Sequence, residues 1–332
     1  LSFLIAHTDP RTHTLLVGDA GVAPHKDWSS PYDGYTFPNE DYFVELDGND
    51  YFPEMIIGRF TNQEDYRLQV MVNKFINYEK YPERINNSWY KKGIVCSNDQ
   101  YQSQIYTKRY TANIMREDGN FISVDTMMSK PNCLYSVSDV VAAINDGRSY
   151  LNYRGEGWSD GWWASCTPVK TSHINGLNNG KKLTFVTSIG CGVAMFTTTG
   201  DANCFGEAWI ELGTPTQPRG GVAFVGPTSN THTTYNNYLD KGIYIGMFRE
   251  GLDSPGEALL RGKLHMYSVF GNTIAVEHHF KIYCVLGDPS IHIWKDTPNP
   301  VIVTRPDSIY IGLNQVQISV KDSVSGLPIF NA

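Results

Sequence analysis

A chain of 332 residues with 27 Lys and Arg against 34 Asp and Glu carries a formal charge of −7, and 41% of its side chains are hydrophobic against 18% charged. That balance excludes a self-repelling disordered chain, and the length suffices for one large core or two modest ones. Lys and Arg stand singly or in pairs such as Lys91-Lys92 and Lys181-Lys182, which gives a nucleic-acid partner no support; the longest apolar runs, Thr14 to Val17 and Leu183 to Ile189, fall far short of the roughly 20 residues of a membrane span.

In chain order, short β-branched runs alternate with amphipathic segments. Thr14 to Gly18 and Met55 to Gly58 read as buried strands, and the apolar spacing from Asn62 to Tyr81 predicts a helix with Leu68, Val72, Phe75, Ile76 and Tyr78 near one face. Strands follow at Gly93 to Cys96 and Phe121 to Val124. Ser136-Val137-Ser138-Asp139 caps a short helix that ends at Gly147. Tyr150 to Tyr153, Leu183 to Ile189 and Val222 to Val225 are further strands, and Glu207 to Leu212 and Ala258 to Phe270 further helices. Such alternation predicts an α/β fold, with helices on both faces of a mainly parallel sheet and ligands beyond the carboxyl ends of its strands. After Asp296 the pattern changes. Thr297-Pro298-Asn299-Pro300 reads as a linker, and Val301 to Thr304, Ser308 to Ile311 and Gln315 to Val320 as the first strands of a β-sandwich. The expected division is therefore 1–296 and 297–332. A chain that opens at Leu1 and stops inside a strand is expected to be a piece of a longer polypeptide.

Six cysteines without a CxxC pair make a disulfide-built framework and a zinc site poor expectations. One of them stands apart. Cys191 sits at the carboxyl tip of a buried strand between Gly190 and Gly192, where the backbone can approach a substrate and the following N–H groups can face an oxyanion. An inert buried thiol is the other reading of that position, and it is the preferred one for Cys96, which lacks flanking glycines. A second glycine-flanked polar residue, Glu156, follows the strand Tyr150 to Tyr153 within Gly155-Glu156-Gly157-Trp158, and two such tips can converge. Trp158, Trp162 and Trp163 beside it suit either a substrate pocket or a lid over the sheet edge.

Five blocks in order, Asp47 to Phe60, the Gly-Glu-Gly-Trp turn, Ser188 to Gly192, Asn203 to Ala208 and Leu286 to Ser290, resemble the gingipain family of cysteine peptidases, family C25, from about Leu15 to Trp294. The resemblance implies a caspase-like three-layer α/β sandwich followed by an immunoglobulin-like domain, an extracellular or cell-surface location, and a peptide or protein substrate. It makes Cys191 the nucleophile and matches Asp99 to the acid that orients the family's histidine. Gln104 falls where arginine-specific members carry an acid, so trypsin-like specificity is not implied. No cofactor is required. Gingipain-like enzymes bind calcium, for which Asp47 and Asp50 are the candidates, with solvated turn carboxylates as the other reading.

The family's histidine position holds Glu156. An imidazolium stabilises a neighbouring thiolate and then protonates the leaving amine; a glutamate, ordinarily ionised at neutral pH, repels the thiolate and is a poor acid. Because a positioned acid–base group contributes about 10²–10⁴-fold, ordinary turnover is not expected of this pair. His232, after the strand that ends at Val225, is the candidate substitute; His173 and His25 read as loop residues, and His278-His279 as packing or surface residues. The expectation is a gingipain-like cysteine endopeptidase domain impaired at Glu156, or a relative whose cleft, including Gly155, Gly157, Gly192 and Trp158, binds a peptide or partner without cutting it.

Overall fold

The computed structural model describes residues 12–21, 23–62, 64–129, 132–197, 203–308, 312 and 315–329. They divide into two compact units, Leu1–Lys295 and Asp296–Ala332.

The first unit is built on eight strands: β1 (His13–Val17), β4 (Ile56–Phe60), β5 (Lys92–Ser97), β6 (Ser123–Met128), β7 (Tyr150–Arg154), β10 (Thr184–Ile189), β11 (Gly221–Pro227) and β12 (Tyr283–Leu286). Two short ribbons lie outside that sheet, β2 (Asp27–Ser29) with β3 (Thr36–Pro38) and β8 (Gly157–Trp158) with β9 (Gly161–Trp162). The sheet order is β1-β4-β12-β11-β10-β7-β5-β6. All pairs are parallel except β11 with β12, so β1, β4 and β12 run against the other five. The expected α/β class with a mainly parallel sheet is what forms.

The helices are α1 (Asp65–Lys80), α2 (Gln102–Glu117), α3 (Val137–Asp146), α4 (Thr171–Asn175), α5 (Phe205–Glu211), α6 (Thr233–Arg249), α7 (Pro255–Phe270) and α8 (Ile274–Ile282). Alternation along the strands separates two faces. Asn152 of β7 and Thr187 of β10 reach Asp240 and Tyr244 of α6, while Tyr153 and Ser188, one residue on, meet Trp162. Two blocks of the family resemblance meet where β4 ends. A Cβ on Gly58 would lie 2.7 Å from the Gly287 carbonyl, and the Gly287 amide donates to Arg59 O at 2.8 Å. Only glycine at 58 admits that approach.

Four expectations change. The buried row of α1 is Val70, Met71, Lys74, Phe75 and Tyr78, whereas Val72 and Ile76 are exposed. Lys74 belongs to the row because its ammonium donates to the Trp209 and Ile210 carbonyls at the end of α5, a partner that apolar spacing does not register. Helices α2, α4, α6 and α8 form where none was read; in α2 and α6, Tyr-, Asn- and Thr-rich segments are held by packing rather than propensity. A strand at Ser123–Met128 replaces one expected at Phe121 to Val124, since Phe121 and the Gly119 turn hand the chain from α2 to the sheet. Finally, Cys133 and Cys166 form one disulfide, although the core itself is apolar.

In the second unit β13 (Val301–Thr304) pairs antiparallel with β14 (Ser319–Asp322). Residues 309–311 of the strand expected at Ser308 to Ile311 lie outside the described residues.

Candidate active site

The register of β7 on β10 builds the site. Arg154 pairs with Ile189, so both strands leave the sheet side by side and turn two residues later, at Glu156 and Cys191. The turns touch. A Cβ on Gly190 would lie 2.7 Å from the Gly155 carbonyl, and one on Gly157 would lie 3.0 Å from Val193 Cγ1 and 3.7 Å from the Cys191 carbonyl. Gly192 adopts φ +58°, with its Cβ position 2.8 Å from the Trp158 ring, so this turn needs glycine for its backbone and for the indole lying on it.

Cys191 is half-buried, and the other free cysteines, Cys96, Cys204 and Cys284, are fully buried. Burial pushes all three of those thiols far above the ordinary range, which leaves Cys191 as the accessible one. Its Sγ accepts the Thr231 amide at 3.3 Å and lies 3.4 Å from Thr231 Oγ1. No imidazole bonds this sulfur among the described residues. The Gly192 amide, foreseen as an oxyanion donor, instead donates to Ser229 O at 2.9 Å.

Glu156 turns toward the loop after β5. Its Oε1 accepts Gln100 Nε2 at 2.7 Å and its Oε2 accepts Asn98 Nδ2 at 3.4 Å. The Glu156 carbonyl accepts the Tyr153 hydroxyl at 2.6 Å and the Trp163 amide at 3.0 Å, which fixes the turn. Asp99, next to Asn98, accepts Ser165 Oγ at 3.1 Å. Both acids thus face one rim, where two side-chain amides hold Glu156. Cys166, beside Ser165, ties this rim to Cys133 beyond β6.

His232 is exposed and caps α6. Its ring meets Tyr32 edge-on, with centroids 5.4 Å apart, while its amide donates to His279 Nε2 at 3.0 Å. His279 Nδ1 donates to Ala275 O, a fully buried and neutral arrangement, and burial holds its pKa down to about 3. His278 is likewise buried, between Ser30 Oγ and Asn230 O. His173 accepts the Lys170 amide, and His25 bonds Ala20 O. Sequence reasoning missed Thr231, Asn98 and Gln100, whose contacts arise only when the loops close over the strand tips.

Other candidates separate. Gln104 is buried, and its Oε1 accepts the Tyr101 amide at the start of α2, so the side chain is spent on a helix cap. Trp162 is core, stacked on Tyr153 at 4.1 Å; Trp163 is half-exposed and bonds Asp160; Trp158 alone lies at the Cys191 turn. Asp47 Oδ1 accepts the Gly48 amide and Asp50 Oδ1 the Phe52 amide, the local contacts of a turn. Among the described residues no group of three or more His, Cys, Asp or Glu forms a metal-holding set, and no helix is long and apolar enough to cross a membrane.

Residues 4–294 match the family model of peptidase family C25. Gingipain R1 of Porphyromonas gingivalis is 25% identical, over 93% of this chain and 30% of its own length. Lys-gingipain HG66 of the same species is 24% identical, over 85% of this chain and 17% of its own length. The crystal structure of the Arg specific cysteine proteinase gingipain R (RGPB) superposes with a TM-score of 0.78 at 21% identity, covering 96% of this chain and 73% of that one, and carries the same caspase-like α/β fold. The chain spans less than a third of the length of these two relatives.

Proposed function

The chain belongs to peptidase family C25, and we propose that it carries a gingipain-like cysteine endopeptidase site in which Cys191 is the nucleophile and Glu156, standing where the family has histidine, impairs peptide-bond cleavage. The single observation that carries this reading is the β7–β10 register, with Cys191 and Glu156 on touching turns beyond the strand tips. Attack by the sulfur on a peptide carbonyl forms the S–C bond, and the amine leaves only if it receives a proton. Glu156, tied to Gln100 and Asn98, holds no imidazolium proton for that transfer. A peptide or protein is the substrate class that the family sets.

Glu156→His, assayed with a mixed peptide library beside the unchanged chain and a Cys191→Ala control, tests the reading. Cleavage that appears with Glu156→His and vanishes on adding Cys191→Ala supports it. Equal cleavage by the unchanged chain would overturn the impairment. No cleavage by either form favours the second reading, a cleft that binds peptide without turnover, for which the engagement of Glu156 by two amides is the supporting observation. Export to the cell surface or beyond belongs to the same proposal, supported by the Cys133–Cys166 disulfide, a bond of oxidising compartments. The 296–332 unit is read as the start of an immunoglobulin-like domain, supported by its antiparallel strand pair.

A further inference from the structure

A cavity of about 520 Å³ opens beside α1, α4 and α5, and Arg67, Thr171, Asn175, Asn203, Glu211 and Arg219 line it. That volume suits a small organic ligand. The cavity is not the cleft of Cys191. Arg219 stands two residues before β11, at the amino end of a strand parallel to β10, whereas Cys191 follows the carboxyl end of β10.

Glu211, the last residue of α5, is only 2% exposed. Its Oε2 accepts Asn62 Nδ2 at 3.0 Å and Asn203 Nδ2 at 2.5 Å, while its Oε1 is buried without a hydrogen-bond partner. Such an oxygen is costly to leave unmatched. Burial pushes the Glu211 pKa up, which the two amides and the nearby charges of Arg67 and Lys74 only partly offset. Lys74 cannot serve it directly, because its ammonium donates to the Trp209 and Ile210 carbonyls. The carboxylate thus lies in the wall of a cavity with one oxygen still to be bonded.

The cations of the same wall are open as well. Arg67 is half-buried and forms no hydrogen bond or ion pair among the described residues. Arg219 uses Nη1 alone, donating to Leu177 O at 3.1 Å. Its backbone is held firmly: Asn179 Oδ1 accepts the Gly220 amide at 2.7 Å, and Asn179 Nδ2 donates to the Gly220 carbonyl at 2.8 Å. Two guanidiniums with free N–H groups suit a carboxylate, which they can grip through paired hydrogen bonds. An inorganic anion would satisfy the arginines but would set its charge against Glu211 and leave most of the volume empty.

We propose that this cavity is a binding site for a small zwitterion, an amino acid or short peptide whose carboxylate lies on Arg67 and Arg219 and whose ammonium donates to Glu211 Oε1. The site is separate from the peptidase reading, and either can fail without the other.

Titration calorimetry of the whole chain with glycylglycine tests it. N-Acetylglycylglycine, which lacks the ammonium, and glycylglycinamide, which lacks the carboxylate, are each expected to bind about tenfold more weakly or worse. Arg67→Gln should weaken glycylglycine by about tenfold. Glu211→Gln, whose amide group turns a donor toward the cavity once its oxygen accepts Asn62 and Asn203, should erase the preference for glycylglycine over its acetylated form. If Glu211→Gln does not fold, Arg67→Gln decides the matter, since that side chain has no bond to lose. Cys191→Ala is expected to bind the dipeptide unchanged; loss of binding there would put the ligand in the cleft and overturn the inference. It is also overturned if glycylglycine gives no binding heat, if its two blocked forms bind as well as it does, or if inorganic phosphate binds more tightly than the dipeptide.

Discussion

Glu207 shows how a single buried residue sets the pH response of the fold. Its carboxylate accepts the Cys204 amide at 2.7 Å at the start of α5, and burial raises its pKa from 4.5 to about 8. Folded chains therefore keep the proton over a range in which unfolded chains release it, and stability falls as pH rises from about 4.5 through about 8. Between pH 5 and 7 the loss is expected to be about 2 kcal/mol, and Glu207→Gln, which retains the acceptor and cannot ionise, should flatten it; urea midpoints at the two pH values check this. Glu207 lies in one of the blocks by which the family is recognised, yet its protonation depends on burial that no local spacing records. The same divide runs through the site. Cys191 and Glu156 are legible because glycines flank them at strand tips. Thr231 is not, because its amide reaches the sulfur only when a loop from another part of the chain closes over the strand tip.

At the scale of elements, α6 and α7 pack along glycines. A Cβ on Gly242 would lie 2.9 Å from Gly262 Cα, and one on Gly262 would lie 2.7 Å from both Ile243 Cγ1 and the Leu239 carbonyl. Gly262→Ala is expected to cost about 1–3 kcal/mol through overpacking, visible as a lower urea midpoint with an unchanged slope. The glycines explain why α6 escapes sequence reasoning. Thr233–Arg249 holds Gly242 and Gly246 among Thr, Tyr and Asn, all weak helix formers, and what sustains the helix is the surface that those glycines let it share with α7. Helices with ordinary signals were legible. Ser136 and Asp139 form the reciprocal cap of α3, and Gly147 ends it at φ +105°. The face of α1 was misread for the opposite reason, since a lysine in its buried row broke an apolar pattern that backbone carbonyls complete.

At the scale of the molecule, the Cys133–Cys166 bridge joins the chain beyond β6 to the loop that carries Ser165 and faces Asp99. It spans 33 residues, so replacing both cysteines by serine is expected to cost about 3–4 kcal/mol, read from urea denaturation of the two forms. Sparse cysteines argued against a framework of bridges and could not reveal one pair, because pairing depends on loops that meet only in the fold. The antiparallel seam between β11 and β12 has a further consequence, for the order of assembly. β12, the final strand of the sheet in sequence, stands third in it, between β4 and β11. A nascent chain that ends before Tyr283 therefore holds two separate sheet fragments, each with an exposed inner edge able to pair with another chain. The five-strand fragment that bears the Cys191 turn can assemble first, and four late residues then weld it to the N-terminal strands. Synthesis of this fold runs almost to its end before its most aggregation-prone edges are covered.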